Sequence, residues 1–261
     1  VYDTRPDLCN TVCLAISQSG ASPDLLATVG KAREAGALVV ALVNAPDSPL
    51  AARADHVVPL CAGAETSVAA TKSFIASLSA IIHLISCWSE DRKLSEEVRK
   101  APKHLERAWN LDWRAAVERL QSATNLFVIG RGMGLGVAQE AALKLKETCA
   151  LHAEAVSAAE LRHGPMALVR PGFPALVFSQ NDEARAGVEV LAGELVARKA
   201  DVMIAGFRCQ GALSLPVEPA HPVIEPMLIA QTFYRMANAL SLARGLDPDR
   251  PPNLRKVTET V

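Results

Sequence analysis

The 261 residues carry 27 basic and 28 acidic side chains; half of the chain is apolar and only 4% is aromatic. A net charge of −1 without a basic stripe argues against nucleic acid as a partner. Apolar runs of about ten residues are too short to span a bilayer, which argues against a membrane role. A core that must be built from Ala, Val, Leu and Ile suits alternating strands and helices better than a β-sandwich, and the length allows two domains.

In chain order, Thr11–Ile16 is a short β-type run broken by Ser17-Gln18-Ser19-Gly20. Ser22 then offers an N-cap, with Pro23 at the first helical position and Asp24 in the first turn. Leu25–Ala35 is expected as a helix stopped by Gly36, Leu38–Val43 as a buried strand, Val57–Leu60 as a shorter one and Thr66–Ile85 as a long helix. This strand–helix alternation predicts a parallel sheet. The charged stretch Ser89–His104 is the natural linker. Beyond it, Leu126–Ile129 leads into the glycine-rich turn Gly130–Gly136, a helix is expected from about Val137 to Ala150, and Ala175–Phe178 is a strand.

The order then repeats. Ser179-Gln180 follows its strand as Ser17-Gln18 follows Ile16, and Leu191–Lys199 and Val202–Ala205 echo Leu25–Ala35 and Leu38–Val43. Such self-similarity predicts two related α/β domains, 1–105 and 106–261. The second half opens with a strand and a glycine turn that have no counterpart before Thr11, so an opening strand is expected to be missing from the first. The six cysteines show neither C-x-x-C nor zinc spacing. They are expected as small buried side chains in a reducing compartment, and with no signal-peptide pattern in the polar opening a cytoplasmic location is expected.

Two segments carry chemistry. Ser17–Ser22 (SQSGAS) lies where a parallel strand meets a helix N-terminus, the place where ligands gather in such sheets. Free amides and roughly half a positive charge favour an anion there, three hydroxyls add donors, and Gly20 permits close approach. The plainer alternative is a capped turn, which would need only Ser22. The turn Gly130-Arg131-Gly132-Met133-Gly134 imitates a dinucleotide fingerprint, but the third glycine and the acid about 20 residues on are missing.

In the second segment, Glu140, Lys144 and Glu147 share one helix face, and Glu160-Leu161-Arg162-His163-Gly164-Pro165 places a histidine on a constrained turn. A carboxylate and an imidazole can move protons between adjacent carbons and open a sugar ring. The alternative is an ordinary solvated face with an i,i+4 ion pair. His152 and His83 are expected as packing or helix side chains. The tail after Pro251-Pro252 is, on its own terms, a frayed terminus.

Taken together, SQSGAS at Ser17–Ser22, VAATKSF at Val68–Phe74, EAALKLKE at Glu140–Glu147, HAEAVSAAELRHGP at His152–Pro165 and NLRKVT at Asn253–Thr258 resemble the sugar isomerase (SIS) family. The likeness runs over nearly the whole chain. It is nearest to the isomerase half of glutamine–fructose-6-phosphate amidotransferases and to glutaminase-free glucosamine-6-phosphate deaminases. The resemblance implies two SIS domains, each a parallel sheet flanked by helices in the doubly wound, flavodoxin-like manner. It implies that Ser17, Gln18, Ser19 and Ser22 hold the phosphate, and that the backbone near Val68 contacts the sugar. Glu147 would shuttle a proton between C1 and C2 with Lys144 beside it, and His163, donated by the partner of a homodimer, would assist ring opening. Lys256 would form a Schiff base with the open ketose or position it. No cofactor or metal is implied.

Two departures stand out: Ala70 occupies a position where the synthases commonly have Ser, and the family's Gly-Thr-Ser or Gly-Ser-Ser turn before the Ser-Gln loop is absent. The expected reaction is deamination of glucosamine 6-phosphate to fructose 6-phosphate and ammonia. The isomerase part of a synthase, a fructosamine-phosphate deglycase and a non-catalytic sugar-phosphate sensor are the alternatives.

Overall fold

The computed structural model describes residues 6–254, which form two compact units divided at Ile81/Ile82.

The first unit is built on a three-stranded parallel sheet. β1 (Val12–Ser17) pairs with β2 (Leu38–Val43), and β2 with β3 (His56–Pro59). Two helices make the crossovers: α1 (Pro23–Glu34) and the short α2 (Pro49–Arg53). Parallel neighbours require such crossovers, and these place one face of the sheet under helices. Ala15, Val39, Ala41 and Val43 from that face close over Val29 and Leu50. The opposite face carries Val12, Leu14, Ile16 and Leu38, which remain 37–52% exposed. Among the described residues no strand pairs with the outer edge of β1.

Helix α3 spans Lys72–Trp88 and starts six residues later than its apolar pattern predicts. Thr66–Ala70 is loop, because the carboxylate of Glu65 takes the amides of Thr71, Lys72 and Ser73 and so sets where the helix begins.

The stretch expected as a linker is instead α4 (Arg92–Trp109), N-capped by Asp91, whose side chain accepts from the Leu94 amide at 3.0 Å. Leu94, Ala101 and Ala108 form its buried stripe, so its many charges are the solvent face of an amphipathic helix. α5 (Arg114–Leu120) follows.

The second sheet has five parallel strands in the order β5-β4-β6-β7-β8: β4 Asn125–Gly130, β5 His152–Ser157, β6 Pro174–Phe178, β7 Asp201–Ala205 and β8 Leu213–Leu215. The crossover helices are α6 (Met133–Cys149) and α7 (Arg185–Ala197), and α8 (Glu225–Ala243) packs along α6. One core gathers Phe127, Ile129, Val177, Leu191, Leu195 and Ile204. The expected repeat is present: β6-β7-β8 run in the same order as β1-β2-β3, and β4 occupies the side of β6 that corresponds to the unpaired edge of β1.

No helix among the described residues is long and apolar enough to cross a membrane. All six cysteines are free, but only Cys149 is buried and Cys9, Cys61 and Cys87 are exposed. The expectation of small core side chains therefore fails for most of them.

Candidate functional site

In the first unit the chemistry-bearing residues collect where the strands end. β1 finishes at Ser17, and the turn that follows is held by its own hydroxyls: Ser17 Oγ accepts from the Gly20 amide at 3.0 Å and Ser19 Oγ from Ala21 at 3.4 Å. Gly20 has φ +61°, and a Cβ there would lie 2.2 Å from Ser48 Oγ, so only glycine fits. Ser22 is the N-cap of α1, yet its side chain makes no capping hydrogen bond. The hydroxyl that a plain capped turn would use is therefore uncommitted at the positive end of a helix dipole.

Asn44, just past β2, ties two neighbouring segments. Its amide donates to the Ser17 carbonyl at 3.2 Å, and its Oδ1 accepts from the Ala62 amide at 2.8 Å. Val68 is half-buried in the loop between β3 and α3.

The corresponding loop of the second unit is filled by its own side chains. Gln180 Nε2 donates to the Arg131 carbonyl at 3.0 Å and to Asp182 Oδ2 at 2.8 Å; Asp182 Oδ1 accepts from the Ala184 amide at 3.0 Å, and Glu225 Oε2 from the Asn181 amide at 2.6 Å. Carboxylates thus occupy amides that an anion would use. The glycines of the Gly130–Gly136 turn are explained by packing. A Cβ on Gly134 would meet Gln180 Oε1 at 2.5 Å, and one on Gly130 would meet the Gly134 carbonyl at 2.5 Å.

The second group of functional side chains lies on α6. Lys144 is only 5% exposed, and its Nζ is 2.5 Å from Glu147 Oε2 and 3.5 Å from Glu140 Oε1. Tyr234 on α8 donates its phenol to Glu140 Oε1 at 2.7 Å. This is not a solvated helix face but a buried cluster of two carboxylates, one ammonium and one phenol. Burial pushes the Glu140 carboxyl above its ordinary value, and the Lys144 charge and the Tyr234 hydrogen bond act against that push. Glu147 is the outermost member, with its side chain 23% exposed.

The turn that presents Glu147 is braced from α8. Ser241 Oγ donates to the Thr148 carbonyl at 2.6 Å and Arg244 Nε to the Cys149 carbonyl at 2.7 Å, which satisfies carbonyls that a helix end leaves open. Ala150 then turns the chain in the left-handed region, with φ +48°.

His163 closes a 3-10 turn (Leu161–His163), its amide donating to the Glu160 carbonyl at 2.8 Å. Gly164 follows at φ +140°. The imidazole is exposed and makes no hydrogen bond to another described residue. Lys256 lies outside the described residues. The structure thus joins Lys144 to Glu147, gathers Ser17, Gln18, Ser19 and Ser22 in one turn, and leaves His163 on a separate surface turn.

Sequence reasoning missed Tyr234, which no local spacing connects to Glu140, and it passed over Glu65 and Asn44. An acid six residues before a Thr-Lys-Ser helix start was the available signal for Glu65. The cavity of about 450 Å³ between the α4–α5 turn and α8, lined by Trp113, Arg114 and Arg235 among others, contains none of the residues singled out above.

Comparison with known proteins agrees with this architecture. The SIS domain profile matches residues 9–86 and 119–205. A glutamine–fructose-6-phosphate aminotransferase (isomerizing) from Aeropyrum pernix is 36% identical over 96% of this chain and 43% of its own length. The chain thus spans less than half the length of the curated relatives it matches. A candidate phosphosugar isomerase from Silicibacter pomeroyi superposes with a TM-score of 0.91 at 42% identity, over 95% of this chain and 76% of that one. The C-terminal domain of a glucosamine-fructose-6-phosphate aminotransferase from Francisella tularensis gives 0.86 at 26%, over 93% and 75%. With more than half of its residues inside the profile and its two parallel sheets built to the same order, the chain belongs to the SIS domain family.

Proposed function

We propose that this chain isomerises an amino-sugar phosphate, and that its reaction is the deamination of glucosamine 6-phosphate to fructose 6-phosphate and ammonia. The observation that carries the reading is the cluster on α6: Lys144, buried between Glu140 and Glu147, contacts one side of the partly exposed Glu147 and leaves the other open. The Ser17–Ser22 turn supplies amides and hydroxyls for the phosphate. In the open-chain substrate Glu147 takes the proton from C2 and returns it to C1. The product is a C2 imine, which water hydrolyses to the ketone as ammonia leaves. One carboxylate reaching both carbons suffices for this transfer. Lys144 orients it, and is itself held by Glu140, which accepts from Tyr234.

His163 is read as the ring-opening group, acting on the site of a second copy in a homodimer; its exposed, unengaged imidazole supports that assignment. Lys256 is retained as the amine of the tail.

A second reading is favoured by the curated relatives, which are synthases: the chain is the isomerase part of such an enzyme, running the reaction toward the amino sugar when ammonia is supplied. Ammonia release from glucosamine 6-phosphate, measured for the wild type and Glu147→Gln, tests the common step. A loss of at least about 100-fold is expected for removing a general base, and equal rates would take Glu147 out of the mechanism.

A further inference from the structure

The loop from β3 to α3 is closed by one side chain. Glu65 Oε1 accepts from the amides of Thr71 at 2.6 Å and Lys72 at 2.7 Å, and from Thr71 Oγ at 3.4 Å; Oε2 accepts from the Ser73 amide at 3.3 Å and from Ser73 Oγ. Lys72 returns its ammonium to the carbonyl of Ala64, the residue before Glu65. Asn44 holds the strand side, donating to the Gly63 carbonyl at 2.9 Å and accepting from Ala62. Between these two anchors runs Thr66–Ala70, with a bend at Ser67–Ala69 and Ala69 buried.

A helix start needs only a local cap. Thr71, whose carbonyl accepts from Ile75, stands where a Ser, Asp or Thr side chain would do that work. Here the cap reaches forward from six residues upstream and so also ties the two feet of the loop together. That is a costlier arrangement than a local cap unless the loop itself must be ordered. Burial acts to raise the Glu65 carboxyl, but the Ser73 hydroxyl and the amides of Thr71, Lys72 and Ser73 outweigh it and hold the group below its ordinary value. The clasp is therefore ionised and closed at neutral pH.

We infer that Glu65 is a positioning residue for the sugar: it presents the backbone around Val68 to the sugar hydroxyls, while the phosphate is held independently by Ser17–Ser22. The inference rests on the sugar-phosphate reading above.

The test separates loop order from helix capping. In the double variant Glu65→Ala/Thr71→Asp, α3 regains a local cap and the loop loses its clasp. Titration of the full chain with fructose 6-phosphate and with inorganic phosphate is expected to show fructose 6-phosphate weakened about tenfold, or ~1.4 kcal/mol, with phosphate affinity held within about twofold. The thermal midpoint is expected to return to within about 2 °C of wild type. Glu65→Gln, which keeps the side-chain length, is expected to give the same split, raising KM more than it lowers kcat.

Recovery of fructose 6-phosphate affinity together with the midpoint would reduce Glu65 to a cap and overturn the inference. So would equal loss of both ligands, or a wild type that binds phosphate with no gain from the sugar. A wild type that binds fructose 6-phosphate but releases no ammonia refutes the proposed reaction and leaves the affinity split to decide the role of Glu65.

Discussion

Replacing Lys144 with methionine removes the buried ammonium that two part-buried carboxylates share. The side-chain volume is nearly kept, so cavity effects are small. At an effective dielectric near 20, unit charges 2.5 Å and 3.5 Å apart attract by about 7 and about 5 kcal/mol, before desolvation offsets most of that gain. Removing one partner of a buried pair costs about 3–5 kcal/mol. The lower end applies here, since Glu147 keeps some water and Glu140 keeps its Tyr234 donor.

The remaining strain falls on Glu140, whose folded-state carboxyl is already raised and rises further without Lys144. A carboxyl raised on folding holds a proton that the unfolded chain gives up. Stability is then lost as pH climbs from the unfolded value through the folded one. Urea unfolding at about pH 5 and about pH 7.5 should show K144M less stable by about 3 kcal/mol at the higher pH and by clearly less at the lower. Adding Glu140→Gln should return part of the loss. A deficit under about 0.5 kcal/mol, the level of an ordinary surface change, or one equal at both pH values, would refute the ion-cluster account.

Two further outcomes follow from the geometry. Gly20→Ala forces a side chain into φ +61° and against Ser48, and is expected to cost about 1–3 kcal/mol and to abolish phosphate binding, measured by thermal melting and titration with inorganic phosphate. Arg244→Ala removes donors to the carbonyls of Cys149, Leu120, Gln121 and Ala123, and is expected to cost about 2–4 kcal/mol and to speed amide exchange at the end of α6 and in the α5–β4 turn.

Six of the eight described strands were legible as short apolar runs, and Leu38–Val43 was placed to the residue; β5 escaped because His152, Glu154 and Ser157 break its apolar pattern, and β8 because it is only three residues long. The repeat was legible because Ser-Gln recurs after a strand in both halves. What escaped was set by distant partners. The late start of α3 depends on Glu65 reaching forward, and no helical period records that. The charges of α4 resembled a linker because its buried stripe is mostly alanine and leucine spaced among lysines and glutamates. At the candidate site, the i,i+4,i+7 spacing of Glu140, Lys144 and Glu147 was visible, but their burial was not. It comes from α8, about ninety residues further along the chain, which brings Tyr234 over the helix.

Among the described residues nothing pairs with the outer flank of β1, and that has a practical consequence. Its backbone donors and acceptors face outward beside Val12, Leu14 and Ile16, and such a margin invites cross-strand adhesion between molecules. Where no other strand covers that margin, contact through it would rise with concentration. Hydrodynamic measurements of stoichiometry are therefore best taken at high dilution, where contacts of that kind come apart.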